Sequence, residues 1–261
     1  MLGAIAYTGN KQKILPQIMN KFPNEYGRFV DLFCGGLSVA LNVKGPVIAN
    51  DIQKPIVDMF EAARNYEWSE IMQMAKDRNL SKGNRETYDG LVKEYNSTKD
   101  PILLLLLHYY SFSNMIRFNK AGEFNAPFGK RQINKNSCRK FQHFKQNVDK
   151  IGFMAGDYKD IDAQIGDFVY ADPPYLITTA EYNKFWSNIE DLALMHYLDN
   201  LDAKGIKFGM SNVFHHHGKT NTALMKWAEK YTTHFIDKNY VFNAYHTKES
   251  GGTVEVYITN V

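Results

Sequence analysis

Short apolar runs rich in β-branched and aromatic residues punctuate the chain, and each predicts a strand. They are Arg28-Phe-Val-Asp31 running into Leu32 and Phe33, Pro46-Val-Ile-Ala-Asn50, Ile151 to Phe153, Phe168-Val-Tyr-Ala171, Ile206 to Met210 and Thr253 to Thr259. Helical spacing dominates between the second and third of them. In Glu61 to Asn96 the residues Trp68, Ile71, Met72 and Ala75 share one face, which reads as core packing. The apolar block Ile102 to Leu107 follows Asp100-Pro101 and predicts a buried helix with Pro101 at its first position, far short of a membrane span. Strands alternating with helical stretches predict an α/β fold around one sheet. We read residues 1–55 and 150–261 as one α/β domain, split by a more helical insertion over 56–149. There are no internal repeats and no low-complexity segments.

Two strand ends carry chemistry. Phe168 to Ala171 stops at Asp172-Pro173-Pro174-Tyr175, and open α/β sheets place their ligands at such carboxyl ends. The two prolines fix φ and remove two N–H donors, so the loop offers the Asp172 carboxylate and its own carbonyls as acceptors. That surface suits a substrate that brings an amino group, and Tyr175 adds a flat face for a planar amine to stack on. Taken alone, the four residues are equally compatible with an ordinary strand-ending turn. At the first strand, Asp31-Leu-Phe33-Cys34-Gly35-Gly36-Leu37-Ser38 predicts a tight turn and a helical start, with glycines that let a nucleotide-like cofactor approach the backbone. Asp51, ending the second strand, is placed to accept hydrogen bonds from ribose hydroxyls. No G-x-G-x-x-G is present and Leu37 stands where a spaced glycine would fall, which disfavours a nicotinamide and favours another adenosine-bearing cofactor.

Charge adds a second region. The 261 residues carry a net +3, yet residues 111–150 hold Arg117, Lys120, Lys130, Arg131, Lys135, Arg139, Lys140, Lys145 and Lys150 against Glu123 and Asp149, a net of +7. Phe112, Phe118, Phe124, Phe128, Phe141 and Phe144 are interleaved with them. Such a concentration fits a phosphate-backbone partner and equally a solvated basic face. Cys34 and Cys138 cannot build a disulfide framework and read as reduced thiols of a cytoplasmic chain, Cys34 as a small residue in a turn rather than a nucleophile. Met1 to Ala6 lacks a basic leader. His215-His216-His217 precedes Gly218 without a ligand-spaced second cluster, so it reads as a solvated loop and no metal is expected. Lys184-Phe185-Trp186 is compatible with a lid over a bound base or with a packed helix start.

Together, Ala6-Tyr7-Thr8-Gly9-Asn10-Lys11-Gln12-Lys13, the Asp31 to Ser38 turn and Asp172-Pro-Pro-Tyr175 resemble the Dam family of DNA adenine methyltransferases, closest to the enzymes of T-even bacteriophages. The resemblance extends through Phe112-Ser-Asn-Met-Ile-Arg117, Pro127-Phe-Gly-Lys-Arg131 and Asp237-Lys-Asn-Tyr-Val-Phe-Asn243. The family's F-x-G-x-G is met here only at its first glycine, Gly35. The resemblance implies a Rossmann-like methyltransferase sheet, an inserted target-recognition domain, S-adenosylmethionine as cofactor, and double-stranded DNA as partner, with no obligatory protein partner and no membrane. It implies methylation of the adenine amino nitrogen in 5′-GATC after base flipping. Tyr7, Lys11, Phe33, Gly35, Gly36, Asp51, Asp157, Tyr158 and Asp172 would then line the cofactor. Asp172 and the Pro173 carbonyl would hold the amine while Tyr175 stacks. Arg117 and Arg131 would read base edges, with Phe112, Ser113, Met115, Pro127 and Lys130 close to the duplex and Phe112 filling the gap left by the flipped base. Two other functions compete: amino-methylation of cytosine, RNA or protein glutamine, where related enzymes more usually carry Ser or Asn in place of Asp172, and DNA binding by a decayed methylase.

Overall fold

The computed structural model describes residues 1–7, 9, 11–178, 186–237 and 252–261. Thr8 and Asn10 of the opening segment, Lys184 and Phe185, and residues 238–243 lie outside the described residues. Among those described, an eight-stranded, mostly parallel sheet forms the centre of a Rossmann-like α/β fold. Strands β1 (Arg28–Asp31), β2 (Val47–Asp51), β3 (Ile151–Ala155), β4 (Asp167–Ala171) and β5 (Lys207–His216) run parallel in the order β3-β2-β1-β4-β5. Beyond β5 the antiparallel β8 (Thr253–Thr259) separates it from β7 (Thr232–Ile236), while the two-residue β6 (Lys219–Thr220) pairs with the end of β5.

The central strands are apolar between their polar ends because both faces are covered. Phe29, Phe168 and Tyr170 point into one core together with Val47 and Ala49. Val30, Val169 and Ala171, one residue out of phase, point into the other. The second core is closed by α7 (Asn188–Ala203) and α8 (Thr222–Ala228) through Leu194, Leu198, Leu201, Leu224 and Trp227.

The first core continues without a break into the insertion, which connects β2 to β3. There α2 (Lys54–Ala63), α3 (Trp68–Asp77), α4 (Arg85–Thr98), α5 (Pro101–Tyr110) and α6 (Lys135–Asn147) follow the short α1 (Leu15–Met19) of the N-terminal segment. Helix α5 is buried at every position after Pro101, as a helix apolar on all sides must be, and the Asp100 carboxylate caps it by accepting from the Ile102 N–H. The expected face of α3 needs one correction. Ile71 and Ala75 are buried, but Met72 sits at the edge of the stripe and is 41% exposed. None of the described helices is long and apolar enough to cross a membrane.

The histidine run also departs from expectation. His215 and His216 end β5, and His217 and Gly218, both at positive φ, turn the chain into β6. The two imidazoles are held by Thr220 and Thr253 hydroxyls at 2.8 and 2.7 Å, so the segment is a hairpin rather than a solvated loop.

Candidate functional site

Strand order reverses between β1 and β4, the place where a crevice opens at the carboxyl ends of such a sheet. The predicted cofactor residues gather there. After β1 the backbone turns through Gly35 at φ +45°, and a Cβ on Gly35 or Gly36 would lie 2.8 or 2.6 Å from the Tyr7 side chain, so both positions require glycine. From the end of β2 the buried Asp51 carboxylate accepts the Gly35 N–H at 3.0 Å and the Gln53 N–H at 2.9 Å, and the Gln53 amide donates to the Tyr7 hydroxyl at 3.2 Å. Asp51 therefore builds the turn, and burial raises its pKa. The expected helical start after Gly36 is a series of turns instead; Leu37 has φ +59°, which interrupts the helical progression.

Asp31, the last residue of β1, is 1% exposed, and its Oδ1 has no hydrogen-bond partner. Burial, then the nearby Asp172, pushes its carboxyl well above the usual range. Sequence reasoning did not nominate it. The same is true of Asn50, whose amide ties β1 to β3 by donating to the Leu32 and Gly156 carbonyls. Asp157 lies just beyond, capping the turn Tyr158–Asp160 through the Lys159 N–H. Phe33 packs against Tyr158 and edge-on against Trp186, at centroid distances of 5.3 and 5.7 Å. Burial and the neighbouring Asp51 and Asp31 raise the Cys34 thiol well above its ordinary pKa, which keeps it protonated.

At the end of β4, Pro173 is buried and Pro174 half-buried. Asp172 Oδ1 receives Lys11 Nζ at 2.7 Å, the two side chains being 6% and 16% exposed. It also accepts the Tyr175 hydroxyl at 3.1 Å, which in turn lies 3.3 Å from Glu255 Oε1. The Lys11 ammonium stands 4.8 Å from the centre of the Tyr175 ring. Burial raises the Asp172 pKa, Lys11 opposes that, and Glu255 adds to it. Glu255 escaped the sequence reading, although an acid within Thr-Val-Glu-Val-Tyr-Ile-Thr was a visible signal.

The second predicted group lies on the segment between α5 and α6. Isolated bridges Ser111–Phe128 and Phe118–Phe124, and the Phe112 N–H on the Pro127 carbonyl at 2.8 Å, bring residues 112–118 against 124–131. Phe112 is 55% exposed at the head of a turn that places Ser113 and Asn114 at positive φ. Arg117 is held by Asn125 through the side-chain oxygen at 2.8 Å and the carbonyl at 2.7 Å. Arg131 reaches the Asn114 amide oxygen at 3.3 Å. Met115 is half-buried, while Ser113, Pro127, Lys130 and Arg131 are exposed.

The broad basic footprint is narrower than its sequence. Lys140, Lys145 and Lys150 turn inward to the carbonyls of Ile5, Arg64, and Leu41 and Val43, and Lys145 also pairs with Glu67. Donors spent on backbone carbonyls are directed away from an outer phosphate. Phe124, Phe141 and Phe144 are core residues packed on Tyr95, Trp68 and Phe60, and Phe118 and Phe128 are half-buried, leaving Phe112 as the exposed ring of the set.

Compared with known proteins, the chain matches the model of the D12 class N6 adenine-specific DNA methyltransferases over residues 7–250. It is 35% identical to the Type II methyltransferase M.FokI of Planomicrobium okeanokoites over 272 residues, 97% of this chain and 42% of that protein. Modification methylase StsI of Streptococcus sanguinis is also 35% identical, over 97% of this chain and 42% of its own length. The chain thus spans about two-fifths of these two relatives. The DNA adenine methylase of Escherichia coli (strain K12) is 28% identical over 70% of this chain and 69% of that protein.

Proposed function

The chain belongs to the D12 class N6 adenine-specific DNA methyltransferases, and from that membership we propose that it moves a methyl group from S-adenosylmethionine to the amino nitrogen of adenine in duplex 5′-GATC. The observation that carries the reading is the Asp172 carboxylate. It is held by a proline-stiffened loop at the end of β4, beside the glycine turn of β1.

An exocyclic amine is a poor nucleophile because its lone pair is delocalised into the ring. Asp172 and the Pro173 carbonyl, accepting its two hydrogens, draw the nitrogen toward tetrahedral geometry, and Asp172 stabilises the positive charge that arrives with the methyl group. Tyr175 stacks on the base, which is rotated out of the duplex at modest expense in pairing and stacking.

The donor set fits the cofactor. Asp31, with its orphaned Oδ1, and Asp51 and Asp172 line one crevice, and two buried acids beside a half-buried one suit a ligand carrying an ammonium and a sulfonium. Asp51 is assigned to the ribose, Asp157 with Phe33 and Tyr158 to the adenine, and Tyr7 and Lys11 to the remaining edge. When bound, S-adenosylmethionine supplies an electrophilic methyl group. Residues 56–149 act as the target-recognition unit, Arg117 and Arg131 reading base edges and Phe112 filling the vacated stack. The reading includes the likeness to T-even phage enzymes and sets the reaction in the cytoplasm, where Cys34 and Cys138 stay reduced.

The test is transfer of labelled methyl groups to duplexes that contain GATC or differ from it by one base pair, with digestion by nucleases sensitive to adenine methylation. Label confined to adenine in GATC supports the proposal. Label in cytosine, or binding without transfer, rejects it in favour of one of the two competing functions.

A further inference from the structure

Resting on the methyl-transfer reading, we propose that Glu255 is a positioning residue of the reaction, acting through the Tyr175 hydroxyl to fix the stacking ring and to place a second negative charge beside Asp172. Glu255 stands on β8 between Val213 of β5 and Ile236 of β7 and is 3% exposed. Its strand neighbours Val256, Tyr257 and Ile258 are fully buried. An acid in such a strand carries a desolvation penalty, and this one lies opposite the irregularity of β5 between Val213 and His215, the kind of distortion that re-aims a side chain. Its Oε1 faces the Tyr175 hydroxyl of the catalytic loop.

The geometry is a hydroxyl bracketed by two carboxylates, 3.1 Å from Asp172 Oδ1 and 3.3 Å from Glu255 Oε1. One O–H proton serves one acceptor at a time. While Lys11 occupies Asp172 Oδ1 at 2.7 Å, both directions are open to it. Once an amine takes Asp172, the hydroxyl turns wholly to Glu255, and the ring is anchored at the far side from the base. The charges agree with this role. Among the described residues, Glu255 brings a second carboxylate within reach of the hydroxyl that Asp172 holds. As the nitrogen's lone pair forms the N–CH₃ bond and the S–CH₃ pair returns to sulfur, positive charge passes from sulfur to nitrogen, and one N–H proton then leaves to water. A second carboxylate near the loop stabilises nitrogen at that moment.

Among the described residues, the groups facing Asp172 are Lys11 from the N-terminal segment, Tyr175 from its own loop, Tyr170 from β4, Asp31 from β1 and Glu255 from β8. Of these, Glu255 holds the Asp172 carboxyl up, while Lys11 and the Tyr175 hydroxyl hold it down. Removing the Glu255 charge therefore lets Asp172 ionise at lower pH.

The experiment uses the full chain with Glu255→Gln, Glu255→Asp, Tyr175→Phe and the Gln/Phe double variant, in single-turnover transfer from labelled S-adenosylmethionine to one GATC duplex across pH. Glu255→Gln is expected to slow transfer roughly tenfold or more, the loss of one charge-assisted hydrogen bond. Its acid limb should move to lower pH, with cofactor and duplex affinity within about twofold of the parent. Glu255→Asp restores the limb but not the rate, and the double variant falls below Tyr175→Phe by less than Glu255→Gln falls below the parent, because the hydroxyl contact is already gone and only the charge is left to lose. A Gln variant with the parent's rate and limb, or a double variant showing both losses in full, overturns the proposal. If Gln abolishes the cooperative melt, the Asp variant decides by rate alone: parent rate overturns. A parent chain that transfers no methyl to adenine fails the underlying reading, whereas a transferring parent matched by its Gln variant fails only this one.

Discussion

Asp172→Asn keeps the shape of the side chain and removes its charge, so it separates a chemical role from a structural one. In the protein a single oxygen, Oδ1, takes both Lys11 Nζ at 2.7 Å and the Tyr175 hydroxyl at 3.1 Å. The asparagine carbonyl retains one charge-assisted hydrogen bond to Lys11, but the buried ammonium loses its counter-ion. Breaking a buried pair outright costs about 3–5 kcal/mol. The surviving bond and relief of a carboxylate already disfavoured by burial offset much of that, and we expect a net loss of stability on the order of 1–2 kcal/mol. Catalysis should suffer more. The amide turns its N–H₂ toward the substrate amine, donor against donor, where the carboxylate offered an acceptor. Removing one preorganised stabilising group lowers the transfer step by about a hundredfold or more.

The assay is single-turnover transfer of labelled methyl groups, with binding of S-adenosylhomocysteine and duplex as controls and a fluorescent adenine analogue reporting base extrusion. Because the loss falls on the transition state, the controls should hold while the rate drops. The pH dependence carries a sign. Burial raises the Asp172 pKa, so the parent rate climbs with pH through a value above the ordinary carboxylate range, while the asparagine variant shows no such limb. Transfer by Asp172→Asn at near the parent rate would mean that the Asp-Pro-Pro-Tyr loop is a turn and nothing more.

Asp51→Ala removes two bonds to the Gly35 and Gln53 N–H groups as well as a ribose acceptor, so calorimetry should show cofactor affinity down by roughly 1.5–3 kcal/mol or more, and unchanged affinity sinks the assignment. Arg131→Ala or Arg117→Ala, measured on singly substituted duplexes at two salt concentrations, should relax discrimination at one base pair by about 1–3 kcal/mol; an even loss across sequences with a salt slope smaller by about one identifies a phosphate contact instead. Asp31 has a raised folded-state pKa, so its contribution to stability is present below the ordinary carboxylate pKa and is lost as pH rises through the raised value. Asp31→Asn should therefore stabilise the ligand-free chain by about 1–3 kcal/mol near neutral pH and by less in acid, while weakening cofactor binding; thermal melts that gain equally at both pH values refute this.

The strands were legible because both faces of the sheet are buried, which makes the middles of β2 and β4 apolar runs. Asp51 and Asp172 were legible because the acids interrupt those runs at their ends. What the sequence hid was partnership. Lys11 pairs with Asp172 across 161 positions, a contact set by the path of the N-terminal segment over the crevice and not by any local pattern. The inward lysines misled for the same reason: charge counts cannot tell a Lys150 that closes the carbonyls of Leu41 and Val43 from one that faces solvent. Phenylalanines interleaved with them belonged to the core that the insertion shares with the sheet.

Leu37 joins the two levels. It replaces the second glycine of F-x-G-x-G, yet its backbone keeps a left-handed φ of +59°, as glycine's would be, while its side chain is fully buried. The strain of that conformation, roughly 1–2 kcal/mol for a residue with a Cβ, is outweighed by burial of a leucine, about 1.5–3 kcal/mol. The turn therefore holds a leucine in a left-handed conformation because packing outweighs the conformational cost. A comparison of Leu37→Ala and Leu37→Gly tests this. Both lose the side chain and should destabilise by about 2–5 kcal/mol. In an ordinary helix or strand alanine would be the better of the two by about 0.5–1 kcal/mol. Here alanine keeps the strain and glycine removes it, so the order should reverse, with Leu37→Gly the more stable by about 1 kcal/mol in denaturant melts. An alanine variant more stable than the glycine variant would show that the left-handed backbone at this turn carries no strain, and that Leu37 sits there without opposing cost.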